Sequence, residues 1–286
     1  KVLILGASGL IGSNLYDYLK IKKISVFGTY YKNKNKKLIK FNFLKDRLSN
    51  LKIINSVTHA IFVSGLSNKL DQVEKDYKAE NELNYKKTRD LMNECYKRNI
   101  KVVYVSSDAV FDGKKGNYTE NSIRKPINKY GSIKLKIEKF IQRKLDKYLI
   151  LRISKVISFR KKDISILSDT IDHLKKNKVS FFSSDEIFSP IFINDFCEKV
   201  LYLISNNKSG IYHLNSIKRT SRYEIAQKIS SFFKLNIKPK KCKINSINLL
   251  ARRGLNMNLN SSKYDSISYK KEKSFEFHLK KLRINV

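Results

Sequence analysis

The fold is decided by the stretch Val2-Leu3-Ile4-Leu5-Gly6-Ala7-Ser8-Gly9-Leu10-Ile11-Gly12. An apolar run suited to a short strand ends at Gly6, and apolar residues at helical spacing follow. In the spacing G-x-x-G-x-x-G, the first glycine permits a tight turn, the second lets the backbone approach a diphosphate, and the third lets helix and strand pack closely. The helix N-terminus adds free N–H groups and the positive end of its dipole. The stretch therefore predicts a diphosphate-binding turn at Gly6, Ser8, Gly9, Leu10, Ile11 and Gly12.

Short apolar runs alternate with helical patterns through the first half of the chain. Strands are predicted at 24–29, 60–64, 101–106 and 148–153, and helices at 73–98 and 128–145. Continuous apolar strands separated by helices are typical of a parallel sheet covered on both faces. The expected fold class is α/β, with a Rossmann-type doubly wound parallel sheet that forms an NAD(P)-binding domain over residues 1–153.

The second half has a looser pattern. Helices are predicted at 164–176, 195–204 and 221–233, and strands at 179–182 and 211–214. Ser221 is the expected cap of the last of these helices. Residues 154–286 are therefore expected to form mostly a smaller C-terminal α/β substrate lobe, with the alternative that some segments return to the main sheet.

The chain is strongly basic. Its 286 residues include 60 Lys and Arg against 25 Asp and Glu, a net charge of +35. Such a charge suits a nucleic-acid or membrane-surface partner, but the lysines are spread along the chain without an arginine-rich helix or an aromatic RNA platform. We expect no nucleic acid as the primary partner, and a positive field that attracts anionic substrates such as nucleotide diphosphates.

Cysteine usage and hydropathy bound the class of protein further. Cys95, Cys197 and Cys242 have neither metal-ligand spacing nor an even count, and the four histidines are scattered, so no metal site is expected. No apolar run approaches the roughly 18 residues that a membrane span needs. The expectation is a cytoplasmic protein without a signal peptide or a transmembrane segment.

The end of the second strand bears on the choice of cofactor. NAD enzymes of this fold usually place Asp or Glu there to bind the ribose 2′-hydroxyl. This chain has Tyr31 and Lys32, with no carboxylate between Asp17 and Asp46. A lysine can pair with a 2′-phosphate, so NADP(H) is favoured over NAD(H), with Lys32 as the first candidate and Lys34 as the second. Ser64 and Gly65, at the end of the strand at 60–64, are further cofactor-binding candidates.

A candidate proton donor lies on the helix at 128–145. Tyr130 and Lys134 are four residues apart and so share a helix face. A nearby ammonium favours the phenolate, which predicts a lowered pKa for Tyr130 and a role in moving a proton to or from a substrate oxygen. Ser107, at the carboxyl end of the strand at 101–106, is the expected partner for that oxygen, with Ser106 as the alternative.

Several motifs together resemble one family. With the glycine turn and Tyr-x-x-x-Lys, they are Leu70-Asp71-Gln72-Val73-Glu74, Asn84, Val105-Ser106-Ser107-Asp108-Ala109-Val110-Phe111-Asp112-Gly113, Leu151-Arg152-Ile153-Ser154 and Ala251-Arg252-Arg253-Gly254-Leu255-Asn256. The set is similar to the extended short-chain dehydrogenase/reductase superfamily, and most of all to the dTDP-4-dehydrorhamnose reductase family. The chain departs from that family at Ala109, where Tyr is usual, at Gly254, where Pro is usual, and in having no Trp.

The resemblance implies a set of roles. Ser107, Tyr130 and Lys134 would be catalytic, with the cofactor against Tyr130 and Lys134, and Asn84 would support the lysine. NADPH would reduce the 4-keto group of a nucleotide-linked deoxysugar for polysaccharide or glycolipid synthesis. Substrate contacts are expected at Ser107, Asp108, Ala109 and Arg252, although Arg252 and Arg253 suit a surface position equally.

Two other functions remain open at this point. One is an NAD-dependent nucleotide-sugar epimerase that uses the same residues. The other is a non-catalytic NADP-binding regulatory subunit, since fold alone does not fix function. A homodimer formed through helices of the sheet is a further expectation.

Overall fold

A parallel sheet of seven strands forms the centre of the molecule. The computed structural model describes residues 1–63, 70–160, 162–176, 179–268 and 275–280. The strands lie in the order β3-β2-β1-β4-β5-β6-β11, and every pair is parallel. Their bounds are β1 Val2–Leu5, β2 Val26–Tyr30, β3 Ile39–Lys40, β4 His59–Phe62, β5 Lys101–Ser107, β6 Tyr148–Ile153 and β11 Gly210–Leu214.

This order confirms the Rossmann-type doubly wound fold. The chain runs outward from β1 to β3, returns to β4 on the other side of β1, and continues outward to β11. The reversal between β1 and β4 opens a crevice at the carboxyl ends of the strands, where such sheets bind their ligands.

Helices cover both faces of the sheet and bury the alternating sides of its strands. These helices are α1 Leu10–Ile21, α2 Leu70–Lys75, α3 Tyr77–Asn81, α4 Thr88–Lys97, α5 Lys129–Lys144, α6 Ile166–Lys176, α7 Ile193–Ser205, α8 Arg222–Phe232, α9 Ser262–Asp265 and α10 Phe275–Lys280. Val2 and Ile4 pack with α1 and α7, whereas Leu3 and Leu5 pack with α4 and α5.

The helix predicted at 73–98 is present, but it is interrupted at Asp76 and changes its winding at Glu82–Lys87. The structure divides this region into α2, α3, a π-helical turn over Glu82–Lys87, and α4. Asp76 has φ −110° and ψ 43°, outside the helical region, and therefore interrupts the helix. Aspartate favours such positions because its short side chain competes for backbone hydrogen bonds.

The second half of the chain contributes to the main sheet and also builds a separate apolar cluster. β11 extends the sheet beyond β6, so a segment of this half returns to it. The separate cluster includes Phe188, Phe192, Ile225 and Ile229. Six short strands pair beside it: β7 Val156–Ile157 with β10 Ile191–Phe192, β9 Ile187–Phe188 with β12 Thr220–Ser221, and β8 Phe181–Ser183 with β13 Lys240–Cys242.

Ser221 caps α8 as expected. Its hydroxyl accepts from the Glu224 N–H at 3.2 Å, and the Glu224 carboxylate accepts from the Ser221 N–H at 2.8 Å. This reciprocal pair satisfies two backbone donors that the helix leaves free.

Candidate functional site

A cleft of about 810 Å³ opens at the carboxyl ends of the sheet strands. The glycine turn, the end of β2 and the end of β5 form one part of its wall, and residues from the second half of the chain form the other. Of the residues singled out from the sequence, those in its lining are Gly6, Ser8, Gly9, Leu10, Ile11, Tyr31, Ser106, Ser107, Asp108, Ala109, Tyr130, Lys134 and Arg253.

The glycine turn has the geometry that its spacing predicts. Gly6 has φ +98°, a conformation that side chains rarely adopt. A Cβ on Gly12 would lie 2.2 Å from the Gly6 carbonyl oxygen, so α1 packs against the turn as closely as a glycine allows. A Cβ on Gly9 would meet its nearest atom at 3.6 Å, so the glycine there leaves space at the cleft wall.

The start of α1 is suited to an anion. Gly9 precedes the helix and has no side chain with which to cap the first N–H groups, and the first turn of α1 holds no acidic residue. Free N–H groups and the helix dipole at such a position stabilise a phosphate. The chain therefore fits the diphosphate of a dinucleotide at this end of the cleft.

The end of β2 continues the same wall. The Thr29 hydroxyl accepts from the Gly6 N–H at 3.1 Å and so ties this strand to the glycine turn. Tyr31 lines the cleft, whereas Lys32 and Lys34 are exposed beside it and not part of its lining. The predicted cofactor residues Ser64 and Gly65 lie outside the described residues.

Tyr130 and Lys134 enter the cleft because α5 begins against the end of β5. The Asn128 side chain caps α5 by accepting from the Gly131 N–H at 2.8 Å. A Cβ on Gly131 would lie 2.0 Å from the Ala109 carbonyl oxygen, so only glycine permits this close approach. The Lys134 ammonium group donates to the Val105 carbonyl at 2.9 Å. The close approach at Gly131 and the Lys134 hydrogen bond thus hold the start of α5 against the end of β5, next to the tyrosine.

The pKa of Tyr130 differs from the sequence expectation. Desolvation in the cleft raises it to about 12, and Asp108 adds to the rise while a hydrogen bond with Ser107 opposes it. The net lowering of the pKa expected from the sequence is wrong, because desolvation outweighs the effect of the Lys134 ammonium group, which donates to the Val105 carbonyl and lies 5.8 Å from the centre of the Tyr130 ring. Tyr130 is therefore a neutral phenol at pH 7, which is the form that can donate a proton.

Lys134 is shifted in the opposite sense. Desolvation lowers the pKa of its amine to about 8, and Glu138 opposes that change. The group is largely charged at pH 7 and loses its charge as the pH rises through about 8. The site therefore combines a neutral phenol with a cation.

The end of β5 presents Ser107 and Asp108 to the same space. The Ser107 hydroxyl donates to Asp108 Oδ1 at 2.8 Å and accepts from the Ala109 N–H at 3.2 Å. Burial raises the pKa of Asp108. Ser106, the alternative to Ser107, donates instead to Glu138 at 2.6 Å in the protein interior. This geometry favours Ser107 as the hydroxyl available to a bound molecule.

Asn84 lies away from the cleft lining. It is 4% exposed, within the π-helical turn, and its amide donates to Glu80. Turns of this kind occur often near functional sites. Its predicted support of Lys134 stays a prediction.

A second group of charged side chains in the cleft lining was not found from the sequence. Lys155 pairs with Glu186 at 3.1 Å, and Arg222 pairs with Asp169 at 3.2 Å and lies 3.8 Å from Glu186. All four of these residues line the cleft. They come from distant parts of the chain, so no local spacing could have indicated them.

The segment after Ala251 places one arginine in the cleft and the other outside it. Arg253 lines the cleft and pairs with Asp71 at 3.2 Å. Arg252, the predicted substrate contact, is exposed and absent from the lining, and its carbonyl accepts from Asn128 at 3.0 Å. The sequence indicated this segment by its two adjacent arginines, but only the fold shows which of the two lines the cleft.

Gly254 is explained by its packing. A Cβ there would lie 2.3 Å from the Met257 sulfur and 2.7 Å from the Gly113 Cα. A proline ring would need that space.

Among the described residues, no group of three or more His, Cys, Asp and Glu could hold a metal ion. Within the part of the chain that the structure describes, no helix is long and apolar enough to cross a bilayer.

Comparisons with known proteins agree with this architecture. The model of a family described as the RmlD substrate binding domain matches residues 1–285. A hypothetical dTDP-4-dehydrorhamnose reductase from Sulfolobus tokodaii is 27% identical and superposes with a TM-score of 0.86 over 96% of this chain and 97% of its own. A dTDP-4-dehydrorhamnose reductase from Bacillus anthracis in complex with NADP is 23% identical, with a TM-score of 0.87 over 100% and 99%. Methionine adenosyltransferase 2 subunit beta of Rattus norvegicus is 25% identical over 98% of this chain and 86% of its own.

Proposed function

The chain belongs to the RmlD substrate binding domain family, and we propose that it is a short-chain dehydrogenase/reductase-type enzyme that uses NADP(H) to reduce the 4-keto group of a nucleotide-linked deoxysugar. The observation that carries the proposal is the meeting of Ser107, Tyr130 and Lys134 in a cleft whose wall begins at the glycine turn. Relatives named as dTDP-4-dehydrorhamnose reductases support it.

The protonation states suit reduction of a carbonyl group. The nicotinamide, when bound, supplies a hydride. Tyr130, neutral at pH 7 because desolvation raises its pKa to about 12, donates the proton to the substrate oxygen. The Ser107 hydroxyl orients that oxygen, and the Lys134 ammonium stabilises the phenolate that Tyr130 leaves behind.

The cofactor site extends from the glycine turn to the end of β2. Free N–H groups at the start of α1 bind the diphosphate, with Gly6, Ser8, Gly9, Leu10 and Ile11 around it. Beyond Tyr31, the exposed Lys32 and Lys34 would meet the adenosine end, and the sequence has no carboxylate between Asp17 and Asp46 to repel a 2′-phosphate. NADP(H) is therefore preferred over NAD(H).

The cationic wall suits the diphosphate of a sugar nucleotide. This wall is formed by Lys155, Arg222 and Arg253, all of which line the cleft. Arginine binds phosphate oxygens with forked hydrogen bonds. Asp108 and the small Ala109 border the sugar, and the absence of a large side chain at 109 widens the space for it.

A panel of substrates tests this function. Purified protein is mixed with NADPH or NADH and with enzymatically made dTDP-, UDP- or GDP-linked 4-ketosugars, and cofactor oxidation is followed by absorbance. We expect rapid oxidation with one sugar nucleotide, and faster oxidation of NADPH than of NADH. Failure with every donor, despite NADPH binding, would contradict the proposal.

A second candidate function is regulatory. Relatives named methionine adenosyltransferase 2 subunit beta cover most of this chain at about one-quarter identity. A binding subunit needs the glycine turn but not a proton donor. NADPH binding without turnover, with stable association of the chain with a larger enzyme, is the result that would favour this function.

We also propose a homodimer formed through helices of the sheet. Sedimentation velocity at several protein concentrations tests this association. A monomer throughout the micromolar range would contradict it.

A further inference from the structure

A fully buried ion pair lies directly beneath the proposed active site. Arg152 of β6 and Glu138 of α5 are both 0% exposed. Two hydrogen bonds join them, from Arg152 Nε to Glu138 Oε1 at 3.0 Å and from Arg152 Nη2 to Glu138 Oε2 at 2.8 Å. A buried pair of this kind is costly to desolvate, and apolar residues of similar volume often replace it without loss of stability. Its presence therefore suggests a role other than stability.

Glu138 connects this pair to the residues of the site. It lies one helical turn after Lys134 and two turns after Tyr130 on α5. Its Oε1 atom also accepts from the Ser106 hydroxyl at 2.6 Å, next to Ser107 at the end of β5. One carboxylate therefore joins α5, β5 and β6 at the level of the proton donor.

The Nη1 atom of Arg152 finds its partners without a second carboxylate. Arg152 Nη1 lies 3.1 Å from His213 Nε2 and donates to the Glu120 carbonyl at 3.2 Å. His213 Nδ1 lies 2.9 Å from the Tyr118 carbonyl oxygen, which can only accept, so the proton belongs on Nδ1 and Nε2 accepts from the arginine. Burial lowers the pKa of His213 to about 3, so the ring is neutral at pH 7.

The groups around Lys134 show what Glu138 can do to it. Tyr130 and Glu138 face it from α5, and the Tyr104 ring and the Val105 carbonyl face it from β5. Around Glu138 itself lie Arg152 and, at 3.3 Å, Arg124. Desolvation favours the neutral amine of Lys134, and Glu138 is the carboxylate that opposes it.

We infer that Glu138 is a positioning residue of the reductase site, which holds the Ser107-bearing end of β5 against α5 and keeps Lys134 in its charged form. The inference rests on the proposed function for its meaning in turnover. It makes a separate statement about Lys134 that can be measured without any substrate.

The test is the pH dependence of Lys134 acetylation in the intact protein. Trace acetic anhydride modifies only neutral amines, and mass spectrometry of the Lys134 peptide reports its rate, because Lys134 lines the cleft. We expect Lys134 of the Glu138→Gln variant to be acetylated about five times faster than in the wild type at pH 7, since a fall of one pH unit from a pKa of about 8 raises the neutral fraction from about a tenth to about a half. Glu94→Gln on α4 removes the same charge away from the site and should leave the rate unchanged.

A second variant guards against a folding defect. Glu138→Gln leaves Arg152 buried without its partner, whereas Glu138→Gln with Arg152→Met removes both charges together. In the double variant, too, Lys134 should be acetylated faster than in the wild type. In both variants the rate of ketosugar reduction should begin to fall at a lower pH than in the wild type.

The outcomes separate this inference from the proposed function. An unchanged Lys134 rate in the folded double variant overturns the role of Glu138, whatever the activity. Faster acetylation of Lys134 in the variants supports the effect of Glu138 on Lys134. If the wild-type protein at the same time reduces no ketosugar, that result counts against the proposed reaction only. Glu138→Asp keeps the negative charge, so Lys134 should be acetylated more slowly in this variant than in Glu138→Gln. Equal rates in the two variants would show that the charge is not the cause.

Discussion

Two parts of the cleft lining are built in different ways. The part that holds the glycine turn and Tyr130 uses short local stretches, 6–12, 105–109 and 128–134, which are fixed by strand ends and helix starts. The cationic wall uses Lys155, Arg222 and Arg253, from distant segments of the chain. In the first part the groups are held by close packing of the backbone, whereas in the second each cation is already paired with a carboxylate.

This difference has consequences for function. A site held by the backbone is preorganised, so its groups act on a bound molecule without rearrangement. A site of paired charges must exchange a carboxylate for a phosphate when substrate binds, so its contribution is a difference between two interactions. We therefore expect the part with the glycine turn and Tyr130 to govern turnover, and the cationic wall to govern the affinity for the sugar nucleotide.

The largest effect on folding is expected at the glycine turn. Gly12→Val would place carbon atoms within 2.2 Å of the Gly6 carbonyl oxygen, which forces α1 away from β1. We expect a loss of about 1–3 kcal/mol in the free energy of unfolding, measured by urea denaturation, together with loss of NADPH binding.

Gly9→Ala is the matched control for that change. Its Cβ would meet its nearest atom at 3.6 Å, so the protein should fold with a change of less than about 1 kcal/mol. Only NADPH affinity should fall. Equal destabilisation by the two substitutions would contradict the account of the turn.

The cationic wall is tested at the adjacent arginines. Arg253→Met should raise the KM for the sugar nucleotide about 10- to 100-fold with little change in kcat, since a hydrogen bond between charged groups is worth about 1.5–3 kcal/mol. Arg252→Met removes the same charge from an exposed side chain. It should change KM less than twofold, because exposed charges contribute little to binding. Steady-state kinetics of both variants make the comparison, and equal effects would show that the wall has been assigned to the wrong arginine.

The pH dependence of turnover examines the catalytic end. As the pH rises through about 8, Lys134 loses its charge, while Tyr130 stays protonated up to about 12. The kcat for ketosugar reduction should therefore be constant near pH 7 and fall up to tenfold for each pH unit above 8. Measurement with saturating NADPH excludes effects on cofactor binding, and a kcat that stays constant to pH 10 would refute the role of Lys134.

The smallest effect is expected at the adenosine end. Lys32→Met should weaken NADPH binding about two- to fivefold and leave NADH binding unchanged, because an exposed ion pair contributes less than about 1 kcal/mol. Fluorescence titration with both cofactors measures this ratio. Lys97→Met, on the far end of α4, is the control, and equal losses for NADPH and NADH would remove the argument for a 2′-phosphate.

The same contrast explains what could be predicted from the sequence. The strand at 148–153, the turn at Gly6–Gly12 and the Tyr130–Lys134 helix follow from local periodicity, and the structure has these elements where expected. The choice between Arg252 and Arg253 depends on contacts with Asn128 and Asp71, far away in the chain. The direction of the Tyr130 pKa depends on desolvation by the whole cleft. Spacing contains no information on either.

The central claim is that Tyr130 donates the proton in a reduction, and one comparison tests it most directly. Oxidation of saturating NADPH is followed with the best ketosugar of the panel, for the wild type and for Tyr130→Phe. We expect turnover to fall by a factor of about 10²–10⁴, as for loss of a general acid, with NADPH affinity unchanged. Turnover by Tyr130→Phe equal to that of the wild type would contradict the account.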